Sequence, residues 1–542
     1  MVFLVDVRLR YSVFLIISDT LKEVQMQHGS KNSFMFTNAL TRAIESKLTK
    51  LKHEKIKDGV ILEAVDFFLE GQGAMEISAH PTDAQASIVR SLVKVVLHQV
   101  GASGSYDLSE GQENLLISLC VETMQVESVS ERCDILRREK SLTDAVEQGL
   151  KYGFESENHL NSGLDQFCIR FYCCSSPQQM RRPPDRIMEE FDKIDIQDDT
   201  ENDNDGETLA SVNPALEALY ISSGTLSQAR IQLLPTVEYD GLWEALHFDS
   251  NIKQKLFSYA TISLKISQFS SKTISDAVIS NNKLLLIHGP PGTGKTTVCR
   301  ALCQKLSIRY PQNDLGTFYS TDYRALIIEI SCSRVFSRWF GESSKNLDNI
   351  FKDVEKLLIE NTERGRFVCL LMDEVETIAS SRSSQINKNE TTDGIRVVNT
   401  LLTQLDNLKK YNNFLVLATS NLVDSLDTAF TDRADGIFYI GIPSEEGTEK
   451  LLTSTIGELI NTQIITSSNG VEKLKEQEIK QCVTAIAHRC SSLRMSGRTL
   501  RKLPLVCLSE FLPELPVTID DFLVALALSV QGHYKGNHVY PP

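Results

Sequence analysis

Several features are missing from this 542-residue sequence, and each absence excludes a class of protein. No uninterrupted apolar run is long enough to cross a bilayer. The twelve cysteines include no C-x-x-C pair, so we expect reduced core thiols in a cytosolic or nuclear protein. There is no H-E-x-x-H, which excludes a zinc protease of that type. A net charge of −15 argues against a general grip on DNA or RNA.

The first part of the chain shows mixed patterns and no clear targeting signal. The first nineteen residues are apolar but interrupted by Asp6, Arg8 and Arg10, and we interpret them as a strand pair or a frayed extension. Helical spacing of apolar residues runs through 33–70 and again through 85–100. FCIRFYCC at 167–174 is typical of a buried strand that closes this domain. These patterns predict a separate α+β domain over residues 1–180.

An acidic segment follows this domain. Between Glu189 and Glu207 the sequence has ten carboxylates and one lysine. Such a run repels itself and has little apolar surface to bury. Residues 181–232 are therefore predicted to form a linker.

From residue 233 onward, strand and helix patterns alternate. Apolar runs predict five strands, which are LLLIHG at 284–289, ALIIEI at 325–330, FVCLLMDE at 367–374, FLVLATSN at 414–421 and FYIGI at 438–442. Helices are predicted between them at 295–308, 344–360 and 395–408. Alternation of this kind predicts an α/β domain with a five-stranded parallel sheet and ligands at the carboxyl ends of the strands.

A glycine-rich loop joins the first of these strands to its helix, and it has the form G-x-x-x-x-G-K-T. Its residues are Gly289, Pro290, Pro291, Gly292, Thr293, Gly294, Lys295, Thr296 and Thr297. Glycines let successive backbone N–H groups turn toward a phosphate, and the helix N-terminus adds partial positive charge. We expect Lys295 to reach the β and γ phosphates of a nucleotide and Thr296 to ligate Mg²⁺.

Two further strand ends have polar residues suited to phosphate chemistry. Asp373 and Glu374 follow the third strand; the first is suited to orienting Mg²⁺ through its water shell and the second to polarising the attacking water. Asn421, after the fourth strand, is a candidate to hold the same water. The alternative interpretation is helix capping by the two acids and an ordinary turn at Asn421.

These motifs, together with several longer segments, resemble the AAA+ ATPases, and among them the pachytene checkpoint family, whose members remodel HORMA-domain proteins. The resemblance runs from about Leu233 to about Gln531 and rests on LLPTVEYDGLW, IHGPPGTGKTTVCRALCQKLSIR, FSRWFGESSKNL, LLMDEVETIASSR, IRVVNTLLTQLD, LATSNLVDSLDTAFTDRAD and SGRTLRKLP. It implies a large AAA+ subdomain at 233–445 and a small helical lid at 446–542. Tyr239, Gly241, Leu242 and Trp243 would lie where the adenine is bound, although a core position for the tryptophan is at least an equal alternative.

The resemblance also implies roles for residues outside the phosphate loop. Trp339, Phe340 and Gly341 match a pore loop that grips an extended polypeptide, and residues 381–394 match a second pore loop. The alternative for the first is a pair of core aromatic residues, which the flanking charges of Arg338 and Glu342 disfavour. Arg433 matches the arginine offered to a neighbouring subunit's ATP, and Arg498 matches the lid arginine that contacts the γ phosphate. A surface ion pair is the alternative for each arginine. The N-terminal domain would recognise a substrate or adaptor. Residues 58–160 look like material additional to the family pattern.

The implied function is ATP hydrolysis by a homo-hexamer that partly unfolds HORMA-domain proteins, with ATP and Mg²⁺ as ligands. The expected partners are HORMA proteins, reached directly or through an adaptor, with no membrane and no direct nucleic-acid binding. The expected locations are the nucleus, on chromosomes, and the cytoplasm. The alternatives are another single-ring remodeller, such as a microtubule-severing type, an ATP-binding scaffold, and a replication-type DNA loader, which the acidic charge disfavours.

Overall fold

The described part of the chain forms two compact units, one before residue 175 and one from residue 229 onward. The computed structural model describes residues 2–28, 32–51, 60–63, 82–103, 108–129, 166–174, 229–248, 251–270, 281–309, 324–333, 343–363, 365–380, 392–466, 473–512 and 515–534. Residues 181–228 of the predicted linker and both predicted pore loops, apart from residues 392–394 of the second, lie outside these residues, whereas residues 230–232, the end of the predicted linker, lie in a strand, Arg230–Leu234.

The first unit is built on a four-stranded mixed sheet. Its strands, in the order β2-β3-β1-β4, are β1 (Val2–Leu9), β2 (Val60–Glu63), β3 (Val121–Val129) and β4 (Gln166–Tyr172). β1 pairs antiparallel with β3 and parallel with β4. Phe3, Val5, Val7 and Leu9 alternate along β1 and are all buried, as the two-residue period of a strand requires.

The described residues of this unit also form four helices, which share its apolar core. They are α1 (Tyr11–His28), α2 (Asn32–Lys50), α3 (Asp83–Ser103) and α4 (Glu110–Cys120). Buried side chains from every one of them join the core of the sheet, among them Phe14, Leu40, Val93 and Leu116. The predicted helix at 85–100 is confirmed as α3, and the strand at 167–174 is confirmed as β4, whose side chains are mostly half-buried because the strand lies at a sheet edge.

Two expectations for this unit are wrong. The first nineteen residues form one strand and the start of a helix, because apolar alternation ends at Leu9 and gives way to helical spacing from Val13. The helical pattern predicted to extend through 70 ends at Lys50, and Ile61 lies in β2. The suggestion that 58–160 is additional material stays a prediction, although α3, α4 and β3 contribute to the core of the unit.

The second unit contains a six-stranded sheet in the order β10-β6-β9-β8-β7-β5. The strands are β5 (Arg230–Leu234), β6 (Leu284–His288), β7 (Ala325–Ser331), β8 (Phe367–Asp373), β9 (Phe414–Ser420) and β10 (Gly436–Tyr439). The last five are parallel, which confirms the predicted sheet, and β5 adds an antiparallel edge to β7. The strand predicted at 438–442 starts two residues earlier and ends at Tyr439, because its pairing with β6 runs from Gly436 to Tyr439. It is an edge strand, and Ile437 and Tyr439 are exposed.

Helices lie between the strands, and the three predicted at 295–308, 344–360 and 395–408 are confirmed. They are α5 (Leu242–Ala245), α6 (Ile252–Ser270), α7 (Lys295–Arg309), α8 (Ser343–Glu363), α9 (Thr392–Leu408) and the single turn α10 (Thr428–Thr431). α7 is buried on nearly every side, and even Lys305 is buried there in an ion pair with Glu244 at 2.7 Å. None of the helices in the described ranges is long and apolar enough to cross a membrane.

A helical lid ends the second unit, as predicted. Its helices are α11 (Glu445–Asn461), α12 (Lys473–Ser492), α13 (Gly497–Phe511) and α14 (Ile519–Tyr534), and two short strands, β11 (Ile465–Thr466) and β12 (Val517–Thr518), pair between them. The helices enclose their own apolar core, which includes Leu452, Ala487, Leu500 and Phe522.

Candidate nucleotide site

The glycine-rich loop connects β6 to α7 and depends on glycine for its shape. Gly292 and Gly294 have φ values of 78° and 95°, which favour glycine. At Gly289, φ is 149° and a Cβ would lie 2.0 Å from the backbone oxygen of Ile440, so a side chain cannot fit without movement of the backbone. The loop places its backbone at the N-terminus of a fifteen-residue helix, as an anion site requires.

Lys295 is buried at the base of this loop. Its Nζ donates hydrogen bonds to the backbone oxygens of Gly289 at 2.9 Å and Pro290 at 2.7 Å. Burial lowers the pKa of the ammonium group, and the nearby carboxylates of Glu376 and Asp373 oppose that shift. The amine is therefore held against the loop that would receive a phosphate. Thr293 also closes the loop, donating to the Pro290 oxygen at 3.0 Å, while Pro291 is exposed.

Three hydroxyl and carboxyl groups meet where α7, β8 and β9 converge. Thr296 Oγ1 donates to Asp373 Oδ1 at 2.9 Å, and Thr419 Oγ1 donates to the same carboxyl oxygen. Oxygen donors of this kind suit Mg²⁺, which usually keeps several waters and takes few protein ligands. Among the described residues there is no cluster of three His, Cys, Asp or Glu side chains that could hold a metal. The hydroxyl of Thr296 and the carboxylate of Asp373 are oxygen donors that fit Mg²⁺.

Glu374 has an unusual backbone conformation beside this cluster. Its φ and ψ are 56° and 49°, a left-handed conformation that disfavours ordinary side chains. Its N–H donates to Thr419 Oγ1 at 3.3 Å, and its side chain is exposed at the carboxyl end of β8. Strain of this kind is frequent at functional sites. Thr419 thus links both acids, and the sequence provided no reason to single it out.

Asn421, one residue beyond β9, contacts a residue that the sequence interpretation missed. Its side-chain Nδ2 and its backbone N donate to Glu376 Oε1 at 3.1 and 3.2 Å. Glu376 lies in the single 3₁₀ turn Val375–Thr377 that follows β8. A second glutamate two residues after Glu374, in the sequence D-E-V-E, was the signal that could have identified Glu376. Only the tertiary structure reveals its partner, Asn421.

The lid meets the phosphate loop directly. The N–H of Arg498 donates to the Gly292 oxygen at 3.0 Å, and a Cβ at Gly292 would lie 2.8 Å from Ser496 Oγ. A cavity of about 780 Å³ lies between the loop and the lid. Four lid cations line it, which are Arg494, Arg498, Arg501 and Lys502, whereas the sequence interpretation assigned only Arg498. Thr297 also lines this cavity.

The residues suggested for adenine are replaced by their neighbours. Tyr239 is buried and its hydroxyl donates to Glu329 Oε1 at 2.7 Å, while Trp243 packs edge-on against Phe257. Neither lines the cavity, and the segment 245–248 does instead. The core interpretation of the tryptophan was therefore the better alternative.

Arg433 has a partner within its own chain. Its guanidinium forms two hydrogen bonds with Asp406 of α9, Nε to Oδ1 at 3.1 Å and Nη2 to Oδ2 at 2.8 Å, and Nη1 donates to the Ala429 oxygen at 2.9 Å. The hydrogen bond from Arg433 lowers the pKa of Asp406 to about 2. To contact the ATP of a neighbouring subunit, the guanidinium would have to leave its pair with Asp406, so that role stays a prediction.

The phosphate loop between β6 and its helix, the paired acids at the end of β8, with β9 between the two strands, and the lid cations that line the cavity define an ATPase of the AAA class. Residues 285–442 match the family described as "ATPase family associated with various cellular activities (AAA)". Residues 444–534 match the "TRIP13-like, AAA+ ATPase lid C-terminal domain".

Full-length comparison gives the family. The chain is 44% identical to Pachytene checkpoint protein 2 of Saccharomyces cerevisiae over 98% of its own length and 99% of that protein. It is 36% identical to the Homo sapiens homolog over 59% of this chain and 73% of that protein. The solved structure of C. elegans PCH-2 shares the fold, with a TM-score of 0.50, 24% identity, and coverage of 83% of this chain and 96% of that one. The chain belongs to the pachytene checkpoint protein 2 family.

Proposed function

We propose that this ATPase works as a homo-hexameric ring that uses ATP hydrolysis to open HORMA-domain proteins by pulling on their chains. The observation that carries the proposal is the convergence of Lys295, Thr296, Asp373 and Glu374 at the carboxyl ends of parallel strands, with the lid bonded to the same loop. This arrangement is suited to cleaving a phosphoanhydride and to moving the lid as it does so.

Each residue at the site has one task in this proposal. The loop N–H groups and Lys295 hold the phosphates, and Arg498 contacts the γ phosphate. Thr296 and Asp373 would hold Mg²⁺, which when bound neutralises charge that develops on the phosphates. Glu374 accepts hydrogen bonding from the attacking water and polarises it, and Asn421 helps to align that water.

The mechanical step rests on the family resemblance. Trp339, Phe340 and Gly341 lie outside the described residues, and we propose that they grip an extended polypeptide in the ring's channel. A bulky apolar side chain accepts many different sequences, and glycine permits movement. The N-terminal unit would present the substrate, directly or through an adaptor.

The first experiment measures ATP hydrolysis by the purified full chain with Mg²⁺. We expect Glu374→Gln to lower turnover by about 10² to 10⁴ while ATP binding is kept, because the amide cannot accept the water's proton. Glu360→Ala, which removes an exposed carboxylate from α8, is the matched control and should hydrolyse ATP at the wild-type rate. Wild-type turnover in Glu374→Gln would refute the assigned base.

The second experiment identifies the substrate. HORMA-domain proteins are expected to raise the rate of hydrolysis, and tubulin and DNA are not. Trp339→Ala should reduce the ratio of stimulated to basal rate. Stimulation by tubulin alone would favour the severing alternative, and unaltered stimulation in Trp339→Ala would exclude threading past that side chain.

We also propose that the protein works on chromosomes in the nucleus and in the cytoplasm. The observation behind this proposal is the family resemblance together with the reduced cysteines; the described cysteines form no disulfide. Fluorescence imaging of the tagged chain in meiotic cells tests it, and exclusion from the nucleus would contradict it.

A further inference from the structure

Glu376 makes an unusual double contact with the residue that follows β9. The backbone N–H and the side-chain Nδ2 of Asn421 both donate to one oxygen, Oε1 of Glu376, at 3.2 and 3.1 Å. The two residues belong to different strand ends and are 45 positions apart in the chain. The contact therefore ties the loop after β9 to the 3₁₀ turn after β8.

The contact also decides which way the Asn421 amide faces. A backbone N–H can only donate, so the atom opposite it must be an acceptor. If the amide turned over, its Oδ1 would meet the carboxylate oxygen and repel it. The last torsion of asparagine is otherwise broad and roughly two-fold, so an amide without this partner would sample both orientations. With one Nδ2–H of Asn421 bonded to Glu376, the Oδ1 atom and the other Nδ2–H point away from that carboxylate.

Glu376 lies close to the phosphate loop as well as to Asn421. Among the groups near Lys295, the carboxylate of Glu376 gives the largest effect that favours the charged ammonium, so it helps to offset burial. Its second oxygen, Oε2, is buried and has no hydrogen-bond partner among the described residues. The carboxylate could therefore act in two ways, by orienting Asn421 or by its charge, and an experiment must separate them.

We propose that Glu376 is the positioning residue of the hydrolysis site, which holds the Asn421 amide in the one orientation that serves the attacking water. The inference rests on the proposed role of Asn421. Glu376 does not touch the reacting atoms and acts only through Asn421.

A double-mutant cycle with ATP turnover and ATP affinity as readouts tests this. We expect Glu376→Ala to lower kcat roughly tenfold to a hundredfold, with a small change in KM. A loss of this size is usual when a residue that orients a functional side chain is removed. Adding Glu376→Ala to Asn421→Ala should not lower kcat any further, because the residue through which Glu376 acts is already absent. Glu376→Gln keeps an acceptor oxygen for both donors and should retain kcat within about threefold.

Every outcome of the cycle decides something. Equal losses in Glu376→Gln and Glu376→Ala would show that charge near Lys295 matters instead, and would overturn the proposal. Additive losses in the double variant would do so too. Full turnover in Asn421→Ala would overturn both this inference and the role of Asn421 in the proposed function, whereas a loss in Asn421→Ala with none in Glu376→Ala would overturn this inference alone. If Glu376→Ala does not fold, Glu376→Asp, which is one methylene shorter, takes its place in the cycle.

Discussion

At the scale of single residues, one hydroxyl group connects the two acids of the site. It belongs to Thr419, and it donates to Asp373 and accepts from the N–H of Glu374. It thereby supports an acid whose backbone conformation is strained. The threonine is buried in β9, so its environment leaves little room for a different group.

We predict that Thr419→Val lowers kcat for ATP roughly tenfold or more while Thr419→Ser keeps most of it. Valine has the shape of threonine but leaves the Glu374 N–H without its acceptor, and an unpaired group of that kind costs about 1 to 3 kcal/mol. Steady-state ATPase assays on the two variants measure the effect. Equal activity in the valine and wild-type chains would show that the hydroxyl is dispensable.

His247, which lines the cavity, gives a prediction about pH. Burial lowers its pKa below the ordinary 6.5, and the charges of Lys253, Lys450 and Arg501 add to that shift. Between the two pKa values the unfolded chain binds the proton and the folded chain does not, so stability falls as pH drops below about 6.5. We expect His247→Gln to weaken this loss. Thermal unfolding of both chains between pH 8 and pH 5.5 measures it, and parallel pH profiles would contradict it.

At the scale of elements, the backbone requires glycine at some positions and tolerates a side chain at others. Gly289 has no space for a Cβ, whereas Gly457, inside the helix α11, has no atom within 4 Å of the place where a Cβ would lie. The same substitution should therefore have opposite effects at the two positions.

We predict that Gly289→Ala destabilises the second unit by about 2 kcal/mol or more and abolishes nucleotide binding, because the backbone of β6 or of Ile440 must move. Gly457→Ala should stabilise it by about 0.5 to 1 kcal/mol, since alanine loses less conformational freedom in a helix. Chemical denaturation monitored by a signal from the second unit compares them. A loss of stability in both variants would mean that the helix position is also constrained.

The elements that the sequence predicted correctly are those whose signal is local. β6, β7, β8 and β9 are nearly continuous apolar runs because both faces of a parallel sheet are covered. β5 was not predicted, and its first residues were assigned to the linker, since its antiparallel pairing with β7 is a long-range contact. The same reason explains why Glu376 and Thr419 were missed, whereas Lys295 and Asp373 follow from spacing along the chain.

At the scale of the whole molecule, Arg433 is the residue with two competing roles. It forms a bidentate pair with Asp406 of its own chain, yet the family resemblance assigns it to the ATP of a neighbour. In a ring, the two roles make different predictions for mixtures of defective subunits, because a neighbour can supply a missing arginine but cannot repair an internal pair.

We predict that mixing Arg433→Ala with Glu374→Gln subunits restores ATP hydrolysis, to at most about a quarter of the wild-type rate if subunits mix at random in a ring. An Arg433→Ala subunit keeps its own base and can receive the arginine of an adjacent Glu374→Gln subunit. Mixing Glu374→Gln with Lys295→Ala, in which both defects lie in the subunit's own site, is the control and should restore nothing. No recovery in the first mixture would assign Arg433 to the Asp406 pair alone.

The bond between Arg498 and Gly292 joins main chain to main chain. Trimming the side chain at 498 would remove a positive charge from the cavity and leave this tether in place. Replacing the peptide N–H with an ester oxygen would do the reverse. The two contributions of one position, electrostatic attraction and mechanical linkage, are therefore separable by chemistry, and the linkage persists through any substitution that keeps a backbone N–H there, which excludes proline.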